Sequence, residues 1–161
     1  TQVAKGRLGQ AFAERRVSKV YLAVAEGRLP RKRVQVKRCI ARHRVRRKEM
    51  TVVDEGGKSA QTAFRELAHQ DGLSLIEARP RTGRTHQIRV HLKSLHCGIV
   101  GDDVYGRRRP RFQAPRQMLH ARMLTVPHPD TGEDTTFTAP IPADMRACLA
   151  DAGLDLPEDM A

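Results

Sequence analysis

The chain has 161 residues, of which 39% are hydrophobic, so its length and apolar content suit one domain with a real core. Thirty Lys and Arg against 18 Asp and Glu give a formal charge of +12, well beyond what solubility requires, and this points to a polyanionic partner: RNA, DNA or an acidic membrane. No stretch reaches the roughly 18 apolar residues of a spanning helix and no signal-peptide-like run opens the sequence, so no membrane-spanning role and a cytoplasmic location are expected.

The predicted elements follow in chain order. Leu8 to Arg16 reads as a short helix. Val17 to Val24, rich in Val, Tyr and Leu and closed by Gly27 and Pro30, reads as a strand. From Arg28 to Lys48 eleven residues are Lys or Arg, and no single period organises Val34, Val36, Ile40 and Val45. That segment is expected to be an exposed, partly extended basic excursion.

Thr51 to Val53, Gln61 to Leu67 and Leu73 to Arg79 read as three strands, separated by the turn signals Asp54-Glu55-Gly56-Gly57 and Gln70-Asp71-Gly72. The second and third are expected to pair as a hairpin. In Thr85 to Leu95, Ile88, Leu92 and Leu95 recur at helical spacing and predict one buried face. Leu119 to Val126 reads as a strand, Pro127 to Asp134 as a turn, Phe137 as part of a short returning strand, and Ala143 to Ala152 as a final helix ended by Gly153. Strands dominate without regular βαβ alternation, which predicts an α+β fold: a largely antiparallel mixed sheet with flanking helices in one domain over 1–161.

Cys39, Cys97 and Cys148 are odd in number and lack CxxC spacing, which supports neither a disulfide framework nor a zinc site. His86, His91 and His96 recur at intervals of five, which scatters them around a helix. No HExxH pattern is present, and no metal is expected. Aromatic residues make up only 4% of the chain, so recognition by stacking platforms is poorly supported and contacts to shape and phosphates are expected instead.

The segment Arg79-Pro80-Arg81-Thr82-Gly83-Arg84-Thr85-His86-Gln87-Ile88-Arg89-Val90-His91-Leu92 places a Gly turn, cations and hydrogen-bonding side chains at the mouth of a helix. Free N–H groups and the helix dipole favour an anion there, and Arg84 or Arg89 has the fork geometry for a carboxylate or phosphate. A capped amphipathic helix with a solvated basic face accounts for the same residues.

This segment resembles the signature of RluA-like RNA pseudouridine synthases, Thr-Gly-Arg-Thr/Ser-His-Gln-Ile/Leu-Arg-x-His. Gly101-Asp102-Asp103-Val104-Tyr105-Gly106 is similar to the family's Gly-Asp-x-x-Tyr-Gly, and Gln117-Met118-Leu119-His120-Ala121 to its Gln-x-Leu-His-Ala. The stretch from His128-Pro129 to Phe137-Thr138-Ala139-Pro140 resembles its closing hairpin. Upstream, Lys19-Val20-Tyr21-Leu22-Ala23 resembles its Lys-x-Tyr-x-Ala strand and Gly57-Lys58-Ser59-Ala60 its Gly-Lys-x-Ala turn. The agreement runs in order over about residues 12 to 145, and the order makes it specific where each short motif would be weak.

The resemblance implies isomerisation of uridine in ribosomal or transfer RNA to pseudouridine, without cofactor or metal, on a flipped-out base. It implies that Tyr21 is the tyrosine that packs on the base, that Arg89 is the basic partner of the initiating aspartate, and that Leu119 helps wall the substrate pocket. Ordinary core packing would explain Tyr21 or Leu119 as well. Arg84, His86 and Gln87 are expected to touch RNA or to support the loop. Arg38 and Arg42, in the basic excursion, are expected to track phosphates, although a solvated charge run would look the same. Asp102, flanked by Gly101 and Gly106, is expected to stabilise a turn.

The family's catalytic aspartate lies in an Arg-Leu-Asp-x-x-Thr-Ser-Gly segment upstream of Lys-x-Tyr-x-Ala, and these 161 residues do not contain it. The expectation is therefore a partial catalytic domain, incomplete at its N-terminus and not active alone. A non-catalytic basic RNA-binding module is the alternative, and the persistence of Tyr21 and Arg89 favours the partial enzyme. Missing early strands predict an exposed sheet edge that invites dimerisation.

Overall fold

Residues 1–157 are described by a computed structural model. The elements are α1 (Gln2–Ala13), β1 (Ser18–Glu26), β2 (Arg33–Lys37), β3 (Cys39–Arg42), β4 (Met50–Val53), β5 (Gln61–Gln70), β6 (Leu73–Pro80), α2 (Gln87–Ser94), β7 (Gly98–Ile99), β8 (Leu119–Pro127), β9 (Asp134–Thr138) and α3 (Ala143–Asp151). The main sheet runs β2-β5-β6-β1-β8-β9, with the short β7 also paired to β1, and every pairing is antiparallel. The predicted α+β class holds.

Strand β1 lies inside the sheet, and Leu22 through Glu26 are buried without interruption. A strand covered on both faces loses the polar alternation of a half-exposed one, which is why Leu22-Ala23-Val24-Ala25 reads as a continuous apolar run. Ile88 and Leu92 of α2 and Met145 and Leu149 of α3 enter the same core cluster as Leu22, Val24 and Leu75. The β5–β6 hairpin turns through Asp71 and Gly72, both at positive φ, the backbone that a two-residue type I′ turn demands and that the Asp-Gly pair forecasts.

Three expectations need adjustment. Helix α1 begins earlier than Leu8, because the Thr1 hydroxyl accepts from Ala4 N–H and caps a helix that tolerates Gly6 and Gly9. Helix α2 begins only at Gln87, since His86 sits at φ +55 in the left-handed region. The basic excursion is more ordered than its composition implied. Val34 and Val36 of β2 pair with Phe64 and Thr62 of β5, while β3 and β4 form a separate hairpin. Ile40 anchors that hairpin at 2% exposure and leaves its charges outward.

A β-bulge falls beside Tyr21. Val20 pairs with Met123 but Tyr21 with Ala121, so Arg122 is an extra residue in β8.

Gly101 is at φ +71, and a Cβ there would stand 2.0 Å from the Arg116 carbonyl oxygen. Gly56 has a similar φ of +72 but open space around it. Gly101→Ala is therefore expected to destabilise the fold by at least about 2 kcal/mol, and Gly56→Ala by only about 1 kcal/mol of backbone strain. Urea unfolding midpoints compare the two; equal losses would contradict the placement of the 101–106 turn.

Candidate active site

The signature turn is held from inside by one amide. Gln87 is 4% exposed. Its Oε1 accepts from the Thr82 hydroxyl at 2.7 Å and from Arg84 N–H at 3.0 Å. Its Nε2 donates to the Gln61 carbonyl and to Thr62 Oγ1, both at 3.0 Å. All four hydrogen-bonding positions of the amide are thus filled within the protein, and Gln87 supports the loop rather than facing RNA. Thr62 Oγ1 continues the chain to Nδ1 of His91 at 2.9 Å. Burial holds the fully enclosed His91 below the usual imidazole range, so it is neutral at pH 7.

A second network fixes Arg89. Its Nε and one Nη reach the two carboxylate oxygens of Asp102 at 2.7 and 2.8 Å. The Asp102 side chain is wholly buried. One Asp102 oxygen also accepts from Val104 N–H and Tyr105 N–H, so the residue stabilises its turn, as predicted, and binds Arg89 as well. Burial pushes the Asp102 carboxyl up, but hydrogen bonds from Arg89, Tyr105 and Val104 outweigh it and hold the group below the ordinary carboxylate value. The Arg89 guanidinium lies 4.8 Å from the centre of the Tyr105 ring.

Tyr105 Oη accepts from Met50 N–H at 2.7 Å, which leaves its proton for His86 Nδ1 at 2.9 Å. Burial and the neighbouring Arg89 hold His86 below the usual imidazole range, as an acceptor requires. The basic hairpin, the signature helix and the 101–106 turn therefore meet at one phenol.

Tyr21 pairs with Ala78 on one side and Ala121 on the other, and Ala23 with Leu119, so Tyr21, Ala23, Ala78, Leu119 and Ala121 share one face of the sheet. Phe64 and Thr62 belong to the same face through Ala78 and Pro80. The contacts of Thr62 with Gln87 and His91 place α2 on it too. Toward β8 the face is open: Tyr21 and Leu119 are half-buried and Ala121 is exposed. The paired neighbours Ala78 and Ala121 are small and leave the half-buried Tyr21 as a candidate platform on this face. No hydrogen bond or ring contact joins Tyr21 to Arg89 among the described residues. The two lie on the platform strand and on the helix beside it.

Arg42 and Arg84, predicted from separate motifs, line one groove of about 530 Å³ with Lys58, and no Asp or Glu contributes to its walls. Arg84 is steadied by its Nε donating to the Ser59 carbonyl. Arg38 pairs with Asp54 instead, at 2.8 Å. Sequence reasoning passed over Lys58 and Tyr105 as site residues; each lies in a quoted motif, but neither motif says what the side chain touches.

Comparisons with known proteins agree on one family. The family pattern described as RNA pseudouridylate synthase matches residues 1–94. An uncharacterised RNA pseudouridine synthase of Chloroflexus aurantiacus is 44% identical over 84% of this chain and 42% of its own length. The ribosomal large subunit pseudouridine synthase D of Zymomonas mobilis is 38% identical over 91% of this chain and 48% of its own. The solved structure of human RNA pseudouridylate synthase domain containing 1 superposes with a TM-score of 0.77 at 32% identity, covering 92% of this chain and 65% of that one.

The chain belongs to the RluA-like family of RNA pseudouridine synthases. It spans about half the length of the curated relatives it matches.

Removing the Asp102 charge would leave the partly buried Arg89 without its partner. Asp102→Asn is expected to lower stability by about 3 kcal/mol, read from urea unfolding at pH 7. Because the folded carboxyl is held below its unfolded value of about 3.9, its contribution is present above that pH and is lost as pH falls through the folded value. Wild type should therefore lose stability relative to Asp102→Asn in acid; parallel pH profiles would contradict the pairing.

Proposed function

We propose that this chain is the RNA-gripping and base-holding part of a pseudouridine synthase that isomerises uridine in RNA. Family membership carries this reading. Two features support it: the half-buried Tyr21 on the open sheet face, and Arg89 of α2 held in place by Asp102. In the reaction the C1′–N1 glycosidic bond breaks, the uracil rejoins C1′ through C5, C5 loses its proton and N1 gains one, so the site must hold a detached base and stabilise charge.

Tyr21 supplies a ring face between Ala78 and Ala121 on which a flipped uracil stacks, and Leu119 bounds it. Arg89 is held rigid by Asp102 and Tyr105, so it loses little freedom on meeting a second carboxylate or the substrate. His86 holds the Tyr105 phenol in place, and Arg84, Arg42 and Lys58 grip phosphates. The initiating carboxylate comes from an Arg-Leu-Asp-x-x-Thr-Ser-Gly segment. Ribosomal RNA is favoured over transfer RNA as substrate, because several relatives, among them that of Zymomonas mobilis, bear the name of a ribosomal large subunit synthase. We place the activity in the cytoplasm, with its RNA. Among the described residues no helix is long and apolar enough to cross a membrane.

The outer strand β9 carries Phe137 at 59% exposure, and we propose self-association along that edge. Light scattering over a wide concentration range should show mass rising with concentration, and a constant monomer mass would refute it.

The test of function is uridine isomerisation on ribosomal and transfer RNA by the 161 residues, alone and with a polypeptide that supplies the aspartate segment. RNA binding by the chain alone, with isomerisation only in the supplemented reaction, is the expected outcome. Isomerisation by the chain alone would mean that another carboxylate initiates. Tyr21→Ala is expected to weaken binding to a uridine-containing oligonucleotide by about 1–3 kcal/mol, and Tyr21→Phe to leave it near wild type, in fluorescence anisotropy.

A further inference from the structure

On the opposite side of the signature turn from the Arg42–Lys58–Arg84 groove lies a second cleft, of about 490 Å³, into which three separate segments bring cations. Arg15 and Arg16 come from the α1–β1 junction, Lys19 from the start of β1, and Arg79 and Arg81 from the end of β6 and the turn after it. No Asp or Glu lines it. Arg16 is paired with Glu14 at 2.8 Å, and Arg79 with Glu77 at 2.9 Å, but Glu77 is shared with Arg65. Arg15, Lys19 and Arg81 make no ion pair among the described residues.

Cations gathered without carboxylates repel one another, and burial adds to the cost. Lys19 is only half-exposed, and burial holds its ammonium below the usual lysine value. Arg15 sits at φ +59, a left-handed backbone region that strains a non-glycine residue. Complementing the C-terminal dipole of α1 would account for Arg15 and Arg16, but not for Lys19, Arg79 and Arg81. An anion in the cleft accounts for Arg15, Lys19 and Arg81, which no carboxylate among the described residues answers.

The two grooves share one wall. Lys19 Nζ comes within 3.8 Å of the place a Cβ on Gly83 would occupy, and Gly83 and Arg84 line the first groove while Pro80 and Arg81 line the second. Gly83 has no side chain to stand between them.

We propose that this cleft is a second phosphate site, in which Arg15, Lys19 and Arg81 take the phosphodiester backbone of the bound RNA after it crosses the signature turn. The site rests on the RNA reading above and extends it from one groove to a track that passes both sides of the turn. It contacts backbone only, so it adds affinity and register without choosing sequence.

The test is fluorescence anisotropy of the 161-residue chain with a single-stranded RNA of about a dozen nucleotides, as a function of salt. Arg15→Gln and Arg81→Gln are made singly and together, with Arg146→Gln, an exposed arginine on α3, as a control for charge alone. Each phosphate contact on a single strand contributes about 0.7 to the slope of log affinity against log salt. The pair is therefore expected to reduce the slope by about 1.4 and to weaken binding roughly tenfold at moderate salt. Arg146→Gln should change neither. Thermal melting checks that the variants remain folded, and the single variants stand in if the double one does not. Wild-type binding with slopes unchanged in the cleft variants overturns the second site alone. Equal losses in the cleft variants and in Arg146→Gln would do the same, reducing it to net charge. Absence of RNA binding by wild type overturns the RNA reading and the cleft with it.

Discussion

Two parallel hydrogen bonds between Arg89 and Asp102 tie the signature helix to the turn that follows it, and most of the site's order depends on that pair. Asp102 is wholly buried, so its charge survives only because a guanidinium and two backbone N–H groups answer it. Breaking such a pair from one side costs about 3–5 kcal/mol. The same turn brings Tyr105 under the guanidinium, and the Tyr105 hydroxyl reaches both His86 and the backbone of Met50. Position is therefore transmitted from an ion pair, through a phenol, to the loop and hairpin that carry the cations.

The Gln87 network does the complementary task on the sheet side. By bonding Thr82 and Arg84 above and Gln61 and Thr62 below, it sets the height of the turn over β5. A side chain with every valence filled in a buried place resists alternatives, since any displaced donor or acceptor would be left unpaired. The turn thus presents Gly83 and Arg84 to solvent from a fixed base, with a cationic groove on either side of it.

Much of the fold was legible in the sequence because its signals were local. The Asp71-Gly72 pair announced the β5–β6 hairpin, and Gly153 marked the end of α3. Strand β1 was visible as an apolar run even though burial on both faces erased its alternation. The helix starts were not legible: Thr1 caps α1 ahead of Gly6 and Gly9, which look like breakers, and the left-handed His86 delays α2. Strands β2 and β3 were hidden because their charged residues point outward while only Val36 and Ile40 are buried, with Val34 half-buried beside them. At the site, motif order gave the family, and Tyr21, Arg84, Arg89 and Asp102 stood out by type. What the motifs could not show was pairing across the chain. That Arg89 meets Asp102, that Arg42 and Arg84 share a groove, and that Lys19 reaches Gly83 are consequences of topology, with partners 13 to more than 60 residues apart.

On the proposed function, the open face around Tyr21 receives the target base while the cationic grooves hold its backbone. Photo-crosslinking answers this most directly, using RNA that carries a single 4-thiouridine at the target position and mass spectrometry to map the attachment. Crosslinks on Tyr21 or Leu119 are the predicted result. Attachment confined to the arginine-rich loop at 107–111, with the Tyr21 face unmarked, would contradict it.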